Sequence, residues 1–294
     1  MNAGTKLGAY GLVLAAVLGG GAVVGAAAGP IDVGGDAPHD THTEEEPTMP
    51  TTSTAELPAG GLLVSQDGYS FAPEDRTADP GAFAFTIIGP DGEPVQDYEL
   101  LHDRELHLIV ASRDLQGYAH LHPTRDADGR WTVDLPELPP GPYRAFADFQ
   151  PAGAEQYTLG IDLTAPGAAV RSAPLAPSFV DDVDGLEVRL DPQTGEDGTE
   201  LTVTVYRDGD VVVTEPYLAA AGHLVALRDG DLAYLHVHPL DDEPSGPVRF
   251  AVEVPSIGTY ALFFDFQVDG VVRTARFVLE VDEQPGASHG AHEG

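Results

Sequence analysis

The 294-residue sequence has no cysteine and only two methionines, Met1 and Met49. Without thiols there are no disulfides, thiolate metal sites, iron–sulfur clusters or cysteine nucleophiles. The lack of methionine beyond residue 49 also excludes thioether copper sites in the folded part. Positive charge is scarce: 14 Lys+Arg stand against 48 Asp+Glu, for a formal net charge of -34. Lys6 is the single lysine. Nucleic acid is thereby excluded as a natural partner, because phosphates are bound through clustered Lys and Arg. An anionic membrane surface is disfavoured for the same reason. No phosphate-cradling glycine loop, nucleophile elbow or Ser/His/Asp arrangement is visible, and the chain reads as non-enzymatic. Any bound metal must be held by His, carboxylate or backbone oxygen.

There is one long apolar run. Leu7 to Ile31 carry no charge, with Lys6 before them and Asp32, Asp36 and Asp40 after. Residues 7–29 are long enough for a transmembrane helix, which needs about 20 residues. The charge asymmetry puts residues 1–6 in the cytoplasm and the rest outside, on a cell membrane. A secretory signal cleaved near Ala26-Ala27-Ala28 is the other reading. Either way the folded part is extracytoplasmic. Residues 30–58 are Pro, Thr, Glu and Asp with few large apolar side chains, so they read as a disordered acidic linker. Residues 283–294 form a second polar tail.

Between the tails the chain repeats itself. HLIVASRDLQGYAHLHP runs from His107 to Pro123, and HLVALRDGDLAYLHVHP from His223 to Pro239. The spacing His-x12-His-x-His-Pro is identical. Downstream, PGPYRAFADFQ (140–150) matches IGTYALFFDFQ (257–267). Two domains, 59–165 and 175–282, follow, joined by a linker at 166–174. Within each, short β-branched or aromatic runs alternate with Gly, Pro and Asp turns. The expected fold is all-β: two tandem immunoglobulin-like β-sandwich domains after the transmembrane helix or signal segment. A small jelly roll is the alternative. Tyr143, Tyr260 and Trp131 read as core.

Six of the 11 histidines fall in the repeats. In a strand, residues i and i+2 share a face, so His120 and His122 project side by side, about 6.5–7 Å apart. His107 heads the strand that turns back into them. Three neutral imidazoles on a rigid sheet suit a divalent ion. This gives His107, His120 and His122 as ligands in the first domain, and His223, His236 and His238 in the second. Asp148 and Asp265, in the repeated Asp-Phe-Gln, are either fourth ligands or groups that orient a ligand His through its other ring nitrogen. A nitrogen and oxygen donor set fits Cu(II) or Zn(II). Binding would weaken as protons compete for the imidazoles. A His–Asp hydrogen-bond network fastening strands would explain the repeats without a metal. His102 has no counterpart in the second copy and takes no shared role. His39, His42, His289 and His292 sit in the tails, where short His tracts bind metal loosely or are merely solvated.

On the repeated HLHP and HVHP segments, with PYRAFADFQ, the sequence resembles a family of actinobacterial membrane-anchored or secreted proteins catalogued as heavy-metal-binding. That resemblance implies an extracytoplasmic β-sandwich that handles metal, copper especially. More loosely, the design is similar to periplasmic copper-resistance carriers, although their N-terminal His ligand and Met-rich loop are missing here. The combined expectation is one site per repeat, for buffering metal or passing it to an envelope metal-handling partner. The other expectation is a cell-surface scaffold or adhesion module whose His–Asp clusters are structural.

Overall fold

The computed structural model describes residues 59–168, 172–195, 198–235, 237–240, 246–252, 254 and 256–282. The expected membrane segment, the acidic linker up to residue 58, the C-terminal tail and His236 lie outside the described residues. No helix among the described residues is long and apolar enough to cross a membrane.

The described chain is all β, in two tandem repeats. The first holds β1 (Ser65–Gln66), β2 (Tyr69–Pro73), β3 (Gly81–Ile88), β4 (Leu106–Ser112), β5 (Tyr118–Leu121), β6 (Thr124–Arg125), β7 (Arg130–Leu135), β8 (Gly141–Phe149) and β9 (Tyr157–Ala165). The second holds β10 (Val180–Val183), β11 (Leu186–Gly195), β12 (Gly198–Arg207), β13 (Asp210–Val212), β14 (His223–Arg228), β15 (Tyr234–Leu235), β16 (Val237–Pro239), β17 (Val248–Val252), β18 (Gly258–Val268) and β19 (Val271–Val281). Each repeat has an outer sheet, β1-β2-β3-β7-β6 or β10-β11-β12-β17-β16, and an inner sheet, β5-β4-β8-β9 or β15-β14-β18-β19. Asp67-Gly68 and Asp184-Gly185 turn matching hairpins with positive φ at both residues (50° and 87°, 50° and 79°). Asp and Gly tolerate that left-handed region, which is why the pair recurs there.

Strand periodicity positions the site. Along β4, Leu108 and Val110 enter the core of the first repeat with Phe85, Trp131 and Phe149. The alternate residues, Ile109 and Ala111, point the other way. They pack with Phe146, Val225, Leu227, Ala261 and Phe263 in a third apolar cluster that joins the repeats. In the second repeat Leu224, Ala226, Leu262 and Phe264 fill its own core. The inner sheets therefore face each other, and their central strands are buried on both sides, β4 along its whole length. Sheets covered on both faces need near-continuous apolar strands, and LHLIVA and YALFF supply them.

The two repeats diverge at the motif they share. In the first, β5 stays paired to β4 for four residues, from Ala111↔Tyr118 to Leu108↔Leu121. In the second, β15 pairs with β14 only at Tyr234 and Leu235. Val237, His238 and Pro239 pair instead with β17 of the outer sheet.

Candidate metal centre

Register places the key side chains on the face between the repeats. His120 lies opposite Ile109 and His107 opposite Asp148. His223 lies opposite Asp265 in the second repeat. All share the parity of the interface residues Ile109 and Val225.

His107 Nε2 is 2.8 Å from the carbonyl oxygen of Leu101, and His120 Nδ1 is 2.8 Å from Oδ2 of Asp265. A carbonyl and a carboxylate can only accept, so both of those ring nitrogens carry the proton. In neutral rings the other two nitrogens, His107 Nδ1 and His120 Nε2, are then lone pairs, and they lie 3.0 Å apart. His122 Nε2 is buried with no hydrogen-bond partner. One nitrogen from each of the three rings lies within 4.8 Å of the others. With both rings neutral, the facing lone pairs of His107 and His120 repel each other and stay unsatisfied. A cation among them turns the repulsion into ligation.

The ring spacing fits such an ion. Metal–nitrogen bonds of about 2.0–2.1 Å at tetrahedral angles put imidazole centroids about 5.2 Å apart. The centroids are 5.2 Å apart for His107 and His120, 5.1 Å for His107 and His122, and 4.9 Å for His120 and His122. His223 stands further off, 6.3 Å from His107 and 6.2 Å from His120. Its Nε2 is tied to the Tyr217 carbonyl at 2.9 Å, the counterpart of the His107–Leu101 bond.

Burial governs the protonation of these rings. It holds His107 down at about 4, because desolvation disfavours the charged ring. It holds His122 at about 3 and His223 at about 4. All three are neutral at pH 7, the form that binds metal. Asp265 is 3% exposed and accepts hydrogen bonds from His120, from Tyr118 Oη at 3.2 Å and from Thr274 Oγ1 at 2.5 Å. Burial, with the Asp265 charge next, raises the Tyr118 phenol well above its ordinary range, so it remains a donor. A carboxylate that holds the outer nitrogen of a histidine fixes its tautomer and orientation.

Among the described residues one such cluster forms, on the first repeat, and its support crosses to the second. Asp265 bonds His120 of the first repeat, because the facing sheets put Phe263 and Asp265 of β18 against Tyr118 and His120 of β5. Asp148 accepts from Gln156 Nε2 at 2.9 Å and Thr158 Oγ1 at 3.1 Å. His223 faces the first-repeat triad across a cavity of about 140 Å³, which His102, His107, His120 and Asp148 also line. The backbone of His238 belongs to the outer sheet. Its side chain, His236 and the four tail histidines lie outside the described residues. His102, given no role from sequence, has its ring 4.9 Å from that of His223 and 6.1 Å from that of His107. The available signal was its place five residues before His107, in the turn that supplies the Leu101 carbonyl.

No curated protein matches the chain. Among solved structures, the crystal structure of S. aureus TarS aligns at 10% identity and a TM-score of 0.19, covering 72% of this chain and 39% of that one. The S. aureus TarS 217-571 structure aligns at 12% identity and a TM-score of 0.17, covering 74% and 71%. Scores this low do not establish a shared fold. A family model described as a domain of unknown function, DUF8832, matches twice, at residues 64–166 and 181–283, and the chain belongs to that family.

Proposed function

We propose that this chain is an extracytoplasmic metal-binding protein that holds Cu(II) or Zn(II) on His107, His120 and His122, at the seam between its two repeats. Its role is to buffer the ion or pass it to a partner in the cell envelope. The observation that carries this reading is that one nitrogen from each of the three rings lies within 4.8 Å of the others, with His107 Nδ1 and His120 Nε2 3.0 Å apart. Their outer nitrogens, where bonded, are held by Leu101 and Asp265. An all-nitrogen set of neutral imidazoles suits Cu(II) and Zn(II). The membrane-anchored or exported placement rests on the apolar run at 7–29.

Each repeat is read as an immunoglobulin-like sandwich. Tyr143 and Tyr260 support this, since each is buried and hydrogen-bonds a carbonyl four residues upstream, Pro139 at 2.9 Å and Ser256 at 2.8 Å. A tyrosine bonding back in this way at a strand corner is a hallmark of that fold.

Calorimetric titration of the metal-free full chain with Zn(II) and Cu(II) tests the function. The expected result is one tight equivalent that disappears in the His120→Ala/His122→Ala double variant. Superimposable isotherms for the two proteins would reject the site. A second reading has its own support. Asp265 bonds both His120 and Tyr118 across the repeats, so the cluster would serve as a structural clamp. It predicts that the double variant loses stability while metal leaves wild-type stability unchanged.

A further inference from the structure

The turn from Leu101 to Arg104 is closed by two backbone bonds, Leu101 N to the Arg104 carbonyl at 2.8 Å and Arg104 N to the Leu101 carbonyl at 3.0 Å. Its tip residues, His102 and Asp103, have φ of 48° and 61°. The second repeat has the same turn, Tyr217 to Ala220, closed at 2.9 and 3.2 Å. Its tip residues, Leu218 and Ala219, have φ of 51° and 58°. Both turns do the same structural work, since each offers a carbonyl to a buried histidine, Leu101 to His107 and Tyr217 to His223. The backbone therefore does not require histidine at the tip. Leucine serves in the second repeat, in a conformation that costs any residue bearing a Cβ. What the first repeat adds is an imidazole, exposed at the rim of the cavity that leads to the triad.

The rings form a graded series. His102 is exposed, and His223 and His107 are buried. The His102–His223 ring separation, 4.9 Å, equals that between His120 and His122, close enough for both rings to approach one ion. Two ligands hold an ion less firmly than three. A divalent ion on His102 and His223 lies next to His107, whose ring is 6.1 Å from one and 6.3 Å from the other.

We propose that His102 and His223 form a two-histidine entry site, through which the divalent ion passes between solvent and the buried triad. The inference rests on the metal-binding reading above. The ion changes partners one imidazole at a time, from His102 and His223 to His107 and then to the full triad. It leaves by the reverse path when a stronger ligand waits outside. His102 thereby sets the rate of exchange and leaves the final affinity alone, because it is absent from the end state.

The test is stopped-flow loading of the metal-free full chain with Cu(II), followed by stripping with a chelator, in wild type and His102→Leu. The leucine reproduces the residue at the tip of the second turn, so the fold is retained. The His120→Ala/His122→Ala variant defines the signal that belongs to the triad, and the tail histidines are common to all three proteins. The expected result is that loading and stripping both slow by about tenfold, as for a barrier raised by ~1.4 kcal/mol, at unchanged equilibrium affinity. Unchanged rates would overturn the entry site and leave the metal site standing. A loss of affinity at an unchanged loading rate would make His102 a resident ligand and also overturn it. No triad-dependent signal in wild type would overturn the entry site and the metal-binding reading together.

Discussion

The two repeats share a spacing of histidines and a fold, yet they contribute unequally to the seam between them. The first supplies three converging rings because β5 stays on the inner sheet for four residues, which carries His120 and points His122 to the same side. The second leaves the inner sheet after Leu235, and its His238 runs along β17. In return it supplies Asp265, which orients His120 from across the seam. On the proposed reading, and among the described residues, the first copy carries the ligands and Asp265 of the second is their buttress. A duplicated motif thus specifies which residues are available, and strand pairing decides what they do.

That inequality can be broken or sharpened by substitution. The largest effect is expected from the ligands. His107→Ala or His122→Ala lowers metal affinity by on the order of a hundredfold or more, whereas His223→Ala leaves equilibrium affinity within a few fold. Competition with a chromophoric chelator measures both. Next come the aromatic rings at the seam. Phe263 stacks on Tyr118 at 4.0 Å and 4°, while its counterpart Phe146 meets Tyr234 at 5.8 Å and 48°. Each Phe→Ala costs about 3–5 kcal/mol in denaturant unfolding. The Phe263 variant is the worse by about 1 kcal/mol, the worth of the better stack. Third, Asp265→Asn weakens metal binding by about 10–100-fold, since it removes the group that fixes the His120 tautomer. Asp148→Asn, in a carboxylate held by Gln156 and Thr158, has little effect. Equal losses for the two would erase the asymmetry.

The smallest effect is in pH. Burial depresses His107 and His223 to about 4 and His122 to about 3. In the unfolded chain imidazoles titrate near their ordinary value of about 6.5. Between about 6.5 and about 4 the unfolded metal-free protein therefore takes up protons that the folded one refuses. Stability is fully present above that window and is lost as pH falls through it. Thermal midpoints of metal-free protein from pH 7 to pH 4 should decline. The decline should be shallower in the His107→Ala variant.

Much of this geometry was legible in the residues. The spacing of His120 and His122, and their return alongside His107, follow from the two-residue period of a strand, and the three rings do lie together. The β class and the tandem repeat were legible from turn residues and from the recurrence itself. The partnership of Asp265 with His120 was not, because local spacing says nothing about which sheet faces which. Part of the signal was present in LHLIVA and YALFF. Strands apolar on both faces imply that both faces are covered, and in a two-repeat chain the other repeat is the nearest cover. His102 escaped for a related reason: comparing copies rewards what recurs, and this residue matters because its counterpart is Leu218.

The most direct measurement is a crystal structure of zinc-loaded protein with an anomalous difference map at the zinc edge. The expected map has a peak within about 2.0–2.1 Å of His107 Nδ1, His120 Nε2 and His122 Nε2, with Asp265 still on His120 Nδ1. A protein saturated with zinc elsewhere, with no peak among these three nitrogens, would contradict it.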